Sequence, residues 1–184
     1  KPSYIAVTFD RPKPTFRKAL YVGYQAQRPK VSEDLSAQFK IVHEMLEEVS
    51  IPVYEVDGFE ADDVIGTINE KINNDFKDVV VYIVTGDRDM LQLVDNNTKV
   101  LMPVKGISEV MLLDRTRVVE KYRVEPEQII DYKALTGDAS DNYSGVVGIG
   151  PKTAASLLQK YGTFEEIYNR VSELEKENPT LAEK

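Results

Sequence analysis

The chain contains no cysteine, which excludes disulfide bridges and thiolate metal sites and accords with a reducing, cytoplasmic setting. Histidine is nearly absent as well: His43 stands alone inside a helical pattern, and a single histidine in that context is assigned no role. No apolar run is long enough to cross a membrane, and no charged n-region leads into an apolar h-region, so neither a span nor a secretory leader is expected. Internal repeats and low-complexity tracts are missing too. Positive charge is in short supply, with 23 Lys and Arg against 31 Asp and Glu and a formal net charge of −8. At first sight that deficit argues against a nucleic-acid partner, because phosphate backbones attract Lys and Arg. A length of 184 residues suffices for one α/β domain with a small appendage.

What the chain has instead is carboxylate, concentrated at corners. Gly58-Phe-Glu-Ala-Asp-Asp63 sets Glu60, Asp62 and Asp63 between a strand-like run at 53–56 and a helical pattern carrying Ala61, Val64, Ile65, Ile68 and Ile72. Taken alone, these acids simply complement the partial positive charge of a helix N-terminus. The device recurs, however: Asp10 follows the run 4–9, and Asp87 and Asp89 follow the run 79–84. Strands in an alternating α/β chain are expected to be parallel, and ligands then bind outside their carboxyl ends. A fourth cluster, Asp138 and Asp141 in Gly-Asp-Ala-Ser-Asp-Asn, lies in a loop able to fold over that edge. Eight carboxylates in one crevice repel and raise one another's pKa unless cations intervene, so divalent metal is expected. Setting those eight aside leaves a formal charge near zero, and a DNA substrate is no longer excluded.

Along the chain, a first strand is expected over 3–9. Residues 11–30 are basic, with Arg11, Lys13, Arg17, Lys18, Arg28 and Lys30, no acid, and Tyr21 and Tyr24 interleaved. A solvated loop and helix would account for that composition, and so would a segment tracking phosphates with aromatic platforms for bases. Leu35, Phe39, Val42, Leu46 and Val49 predict a helix over 33–49 that Pro52 ends. Thr85-Gly-Asp-Arg-Asp89 opens a short helix. Runs at 99–104 and 109–113 read as a hairpin through Lys105-Gly106. Asp114 reads as the N-cap of a helix over 115–122, and Pro126 as the start of another. Gly148 and Gly150 flank Ile149, and Lys152 and Thr153 follow at a helix start. Backbone amides at such a turn approach phosphates closely, which favours an anion clamp over a plain helical hairpin. A helix is expected from 164, and the charged end, 173–184, reads as frayed.

With those motifs in view, the chain resembles the 5′ nuclease family, the N-terminal exonuclease domain of bacterial DNA polymerase I and the flap endonucleases. The resemblance covers nearly the whole chain. It is carried by Thr15-Phe-Arg17, the stretch 24–29, Gly58-Phe-Glu-Ala-Asp-Asp63, Thr85-Gly-Asp-Arg-Asp89, Leu135-Thr-Gly-Asp-Ala-Ser-Asp-Asn142 and the stretch 145–154. It implies an α/β fold with a mostly parallel sheet flanked by helices, PIN-like, over 1–124, including a basic arch segment at 11–30. A helix-hairpin-helix type helical subdomain over 125–184, with its Gly-x-Gly hairpin at 145–154, completes it. The implied activity is metal-dependent 5′-3′ exonuclease and 5′-flap endonuclease hydrolysis of DNA in replication and repair. Two ions, Mg²⁺ or Mn²⁺, are implied: one on Asp10, Glu60 and Asp62 with Asp63 close by, the other on Asp87, Asp89, Asp138 and Asp141. Paired ions held by carboxylates suit that chemistry. Asp10, Glu60, Asp62, Asp87, Asp89 and Arg28 are the implied catalytic residues. Arg17, Tyr24, Gln25, Arg28, Gly148, Gly150, Lys152 and Thr153 would contact DNA, with K⁺ at the 145–150 loop. The implied partner is DNA with a free 5′ end or 5′ flap, with a linked polymerase module, no membrane and a monomeric state.

Three departures qualify the resemblance. The family's first strand, with its own Asp, would precede Lys1, and a longer natural protein is expected because a sheet lacking an inner strand exposes apolar surface. Gln25 stands where the family usually has lysine, which bears on cleavage rate more than on binding, and Arg28 compensates. The family's closing helices would follow 184. A non-catalytic binder of branched DNA is the rival reading, and a Mg²⁺-dependent phosphohydrolase of small substrates a weaker one.

Overall fold

The computed structural model describes residues 1–29, 31–106 and 108–184. Lys30, the last of the expected basic segment, lies outside the described residues. The chain divides into two compact units, Lys1–Ile68 with Ser140–Asn142, and Asn69–Ala139 with Tyr143–Lys184.

In the first unit, β1 (Val7–Thr8) pairs in parallel with β2 (Val53–Tyr54). The strand expected over 3–9 is thus two residues long: the ladder closes with Val7 N–H on the Pro52 carbonyl (3.0 Å) and Phe9 N–H on that of Tyr54 (3.3 Å), and Tyr4 and Ile5 are exposed. A five-residue helix, α1 (Phe16–Leu20), lies in the basic segment. The longer α2 (Glu33–Glu48) starts because the Ser32 hydroxyl accepts the Leu35 N–H, and Glu33 and Asp34 complement its N-terminal dipole. Of its apolar stripe only Leu46 is fully buried. After β2 comes α3 (Ala61–Asp75), which contributes 61–68 to this unit and 69–75 to the other.

The second unit holds a mixed sheet in the order β3-β4-β5, with β3 (Val81–Val84), β4 (Thr98–Lys105) and β5 (Glu109–Leu113). β3 and β4 run parallel, and β4 and β5 form the expected antiparallel hairpin. The corner after β3 becomes a 3-10 turn, Asp89–Leu93. Asp114 caps α4 (Arg115–Tyr122) by accepting the Arg117 N–H at 2.9 Å, as its sequence position implies, and Arg123 ends the helix in the left-handed region at φ 60°. A 3-10 turn, Pro126–Gln128, leads into α5 (Ile129–Thr136). Pro151 opens α6 (Pro151–Tyr161), which buries Ala154, Ala155, Leu157, Leu158 and Tyr161 along one stripe. The core of this unit joins Leu91, Val94, Val100, Leu113, Val118 and Leu158, each nearly sealed from solvent. Each such side chain contributes about 1.5–3 kcal/mol of burial.

Two further expectations need correction. The helix from 164 is interrupted: α7 (Phe164–Asn169) stops at Arg170, whose backbone leaves helical geometry at φ −112°, ψ 21°. The end of the chain is helical rather than frayed, as α8 (Val171–Glu177) and α9 (Pro179–Ala182). Burial of Leu174 holds α8, and the Asn178 side chain caps α9 by accepting the Leu181 N–H at 3.1 Å. Charge density along 173–184 concealed that single apolar anchor.

Candidate metal centre and nucleic-acid interface

In the first unit, the acids of the Gly58–Asp63 corner have individual partners. Asp10 accepts the Ala61 N–H at 2.7 Å and so satisfies one of the orphan amides at the start of α3. Asp63 accepts a parallel fork from Arg17, with both N···O distances 2.7 Å, and also the Glu60 N–H at 2.9 Å. Arg17 comes first among the causes that hold the Asp63 carboxyl below its ordinary pKa, and Asp63 in turn raises that of Arg17. Crowded carboxylates were expected to raise each other's pKa. At Asp63 the opposite holds, because the guanidinium outweighs burial.

Glu60 accepts from Thr15 Oγ1 (3.2 Å) and Tyr24 Oη (3.0 Å). Burial, then the bond to Glu60, push the Tyr24 phenol upward, which keeps its proton in place as a donor. Gln25 Nε2 reaches Tyr24 Oη at 3.1 Å and Asp141 Oδ1 at 3.2 Å. Asp62 is half-buried, and Arg28 is exposed. Arg11 and Lys13 pair with Asp57 at 2.7 and 2.6 Å. All three basic side chains at 11–17 thus face acids of their own unit.

In the second unit, Thr85 Oγ1 accepts the Asp87 N–H at 3.0 Å, and Asp87 Oδ1 accepts the Asp89 N–H at 2.8 Å. Asp87 therefore shapes the corner after β3 as well as lending charge to it. Asp89 and Asp138 offer carboxylate oxygens within 4.8 Å of one another, and the Lys133 ammonium bonds both. Lys133 was not singled out from the sequence. A lysine on the last turn of a helix, five residues before Asp138, was the available signal.

The loop that carries Asp138 is closed by two glycines. At Gly137 (φ +80°) a Cβ would lie 2.7 Å from the Tyr143 carbonyl oxygen, and at Gly145 (φ +62°) 2.3 Å from the Gly137 nitrogen. Only glycines allow this backbone contact. Reciprocal bonds between Asp138 and Tyr143 (2.7 and 2.8 Å) complete the closure. Gly148 has φ +81°, and its carbonyl accepts the Lys184 ammonium at 3.1 Å. Gly150, the N-cap of α6, is exposed, and nothing lies within 4 Å of a Cβ built on it. Lys152 is exposed and Thr153 half-buried in the first turn.

Compared with known proteins, residues 1–123 match the 5′-3′ exonuclease N-terminal resolvase-like domain, and residues 124–184 match the 5′-3′ exonuclease C-terminal SAM fold. The chain belongs to the 5′-3′ exonuclease family. A family member from Aquifex aeolicus, named 5′-3′ exonuclease, is 41% identical over 179 residues, which is 97% of this chain and 60% of that protein. DNA polymerase I of Lactococcus lactis is 40% identical over 174 residues, 95% of this chain and 20% of the polymerase. The chain thus spans about a fifth of the length of such polymerases. Among solved structures, the bacteriophage T5 flap endonuclease in complex with DNA and metal ions superposes with a TM-score of 0.74 at 23% identity, covering 91% of this chain and 64% of that one. That likeness confirms the shared fold of this 5′-3′ exonuclease family member: an N-terminal α/β domain with mixed strands and flanking helices, and a C-terminal helical domain.

Proposed function

We propose that the chain is a metal-dependent 5′-3′ exonuclease and 5′-flap endonuclease, hydrolysing DNA phosphodiester bonds with two Mg²⁺ or Mn²⁺ ions in replication and repair. The observation that carries this reading is the Asp89–Asp138 pair drawn onto the Lys133 ammonium. Two half-buried carboxylates already share a cation, and oxygen donors of this kind suit Mg²⁺. Asp87, Asp89 and Asp138 would hold one ion, Asp10, Glu60 and Asp62 another, and Asp141 would serve as a further ligand. Asp63, committed to Arg17, stands close by as their support. When bound, the ions supply an activated water and stabilise the leaving oxygen.

The remaining residues bind and orient. Exposed Arg28 offers a charge to a phosphate, and Tyr24 keeps Glu60 in place while Gln25 lies beside it. Gly148, exposed Gly150, Lys152 and Thr153 form the duplex clamp. K⁺ is assigned to the 145–150 loop, where the Gly148 carbonyl, which accepts the Lys184 ammonium, is an oxygen donor of the kind such an ion takes. We assign 1–124 to the nuclease core with its arch segment, and 125–184 to the clamp. DNA with a free 5′ end or 5′ flap is the partner, a polymerase module is linked in the longer protein, the state is monomeric and the setting cytoplasmic. No described helix is long and apolar enough to cross a membrane.

The test is cleavage of 5′-labelled flap and blunt duplex DNA in Mg²⁺, in Mn²⁺ and in EDTA. Metal-dependent products from 5′ structures are expected, and cutting in EDTA or indifference to 5′ structure contradicts the proposal. Uncharged Gln25 favours one rival, a binder of branched DNA, which would retain flaps in a gel shift and yield no product with either metal.

A further inference from the structure

We infer that Gln25 is a positioning residue for metal-binding carboxylates, its side-chain amide joining Asp141 to Glu60 through the Tyr24 hydroxyl. The inference rests on reading Glu60 and Asp141 as metal ligands. All the bonds concerned lie within the first unit.

The chemistry of the groups fixes the direction of every bond. A carboxylate can only accept, so the one proton of Tyr24 Oη goes to Glu60 Oε2 at 3.0 Å. That leaves a lone pair on Oη as acceptor. The Gln25 amide has two protons: one meets Oη at 3.1 Å and the other Asp141 Oδ1 at 3.2 Å. Each donor has one acceptor, and the order Asp141, Gln25, Tyr24, Glu60 has no alternative assignment. Lysine at this place would add a charge, but the amide orients both carboxylates and leaves their full negative charge for a cation.

The backbone is held to the same end. Gln25 N–H donates to the Asp141 carbonyl (3.2 Å), Asn142 Nδ2 to the Gly23 carbonyl (2.9 Å), Gln27 Nε2 to Asn142 Oδ1 (3.2 Å) and Tyr21 Oη to the Asn142 carbonyl (3.0 Å). Gln25 and Asn142 both adopt left-handed backbone, at φ 53° and 60°. Residues with side chains persist there when the surroundings over-determine them. The turn at 21–27 therefore grips the segment Ser140–Asn142, and Gln25 lies where main-chain and side-chain bonds coincide. A strand of DNA engaging the basic segment would act on the position of Asp141 through this grip.

The experiment is calorimetric titration with Ca²⁺ of the full chain and of Gln25→Met, Tyr24→Phe, the double variant and Glu60→Gln. Gln25→Met and Tyr24→Phe should each weaken Ca²⁺ binding about 10-fold, as loss of a ligand's supporting hydrogen bond does. The double variant should be no weaker than the poorer single one, because both break one chain. Gln25→Asn, which keeps the amide but is a methylene too short to span both partners, should behave like Gln25→Met. A Gln25→Met protein that binds Ca²⁺ like the parent, while Glu60→Gln loses binding, overturns the inference and leaves the metal reading standing. Equal Ca²⁺ binding by the parent and Glu60→Gln refutes Glu60 as a ligand, and the inference falls with it. A second readout needs no metal: the Gln25 side-chain amide resonances should be shifted and slow to exchange, and should revert in Tyr24→Phe. Random-coil values in the parent overturn the inference however the variants fold.

Discussion

Replacing Arg17 by methionine removes the guanidinium fork from Asp63 and keeps most of the side-chain volume. The fork has two N···O contacts of 2.7 Å, and the side chains of Arg17 and Asp63 are 30% and 23% exposed. Hydrogen bonds to charged groups contribute about 1.5–3 kcal/mol net, while open surface pairs contribute about 0–1 kcal/mol. A bidentate, half-buried pair lies between these, so the loss should be about 2 kcal/mol. Arg17 also stacks over the Phe16 ring, 4.7 Å from its centroid, and that contact adds to the loss. For a chain of this size the melting temperature should fall by about 4–8 °C. The pH dependence is a sharper readout. The Asp63 pKa is lowered in the fold, so its contribution is fully present above the unfolded carboxyl value and lost as pH falls through the lower folded value. The difference between parent and Arg17→Met, measured by urea unfolding, should be constant at neutral pH and shrink below about pH 4. A difference under about 0.5 kcal/mol at pH 7, or one that persists unchanged in acid, refutes the pairing as a source of stability.

Three further outcomes are expected. Lys133→Met leaves Asp89 and Asp138 without their shared ammonium, so the metal-free protein should melt lower and gain more from added Mg²⁺ than the parent; equal melting points with and without the ion contradict this. His43 meets two acceptors, the Phe39 carbonyl at 2.7 Å and Glu55 Oε1 at 2.9 Å, and its pKa is raised first by the former. Its contribution is therefore present below about pH 6.5 and lost as pH rises through the higher folded value; an NMR titration of the ring that shows no upward shift refutes it. Lys152→Ala should weaken duplex binding and reduce the salt slope by about one phosphate, and an unchanged slope argues against the clamp.

What could be read from the sequence was local. Asp114 and the Arg117 amide are three residues apart, and the 109–113 strand follows its partner within a hairpin, so composition alone placed both. The acidic corners were legible for the same reason, each being a short run after a strand. Their partners were not. Arg17 and Asp63 are separated by 46 positions, and Lys133 and Asp89 by 44, so no periodicity links them. The composition of 11–30 left a solvated segment and a phosphate-tracking one both open, and charge alone did not reveal the acids that pair with Arg11, Lys13 and Arg17. The role of Gly137 and Gly145 was likewise hidden, because the backbone that a Cβ would strike belongs to Tyr143 and Ser144 for the first and to residues 135–137 for the second. Gln25 was noticed as a departure from lysine, and its hydrogen bonds supply the physical content of that difference.

The central claim is that the two carboxylate clusters bind divalent cations, and counting bound Mn²⁺ by electron paramagnetic resonance tests it most directly. Two saturable sites per chain are expected, with one lost in Asp89→Asn and the other in Glu60→Gln. Absence of saturable Mn²⁺ binding, or the same count in all three proteins, contradicts the account.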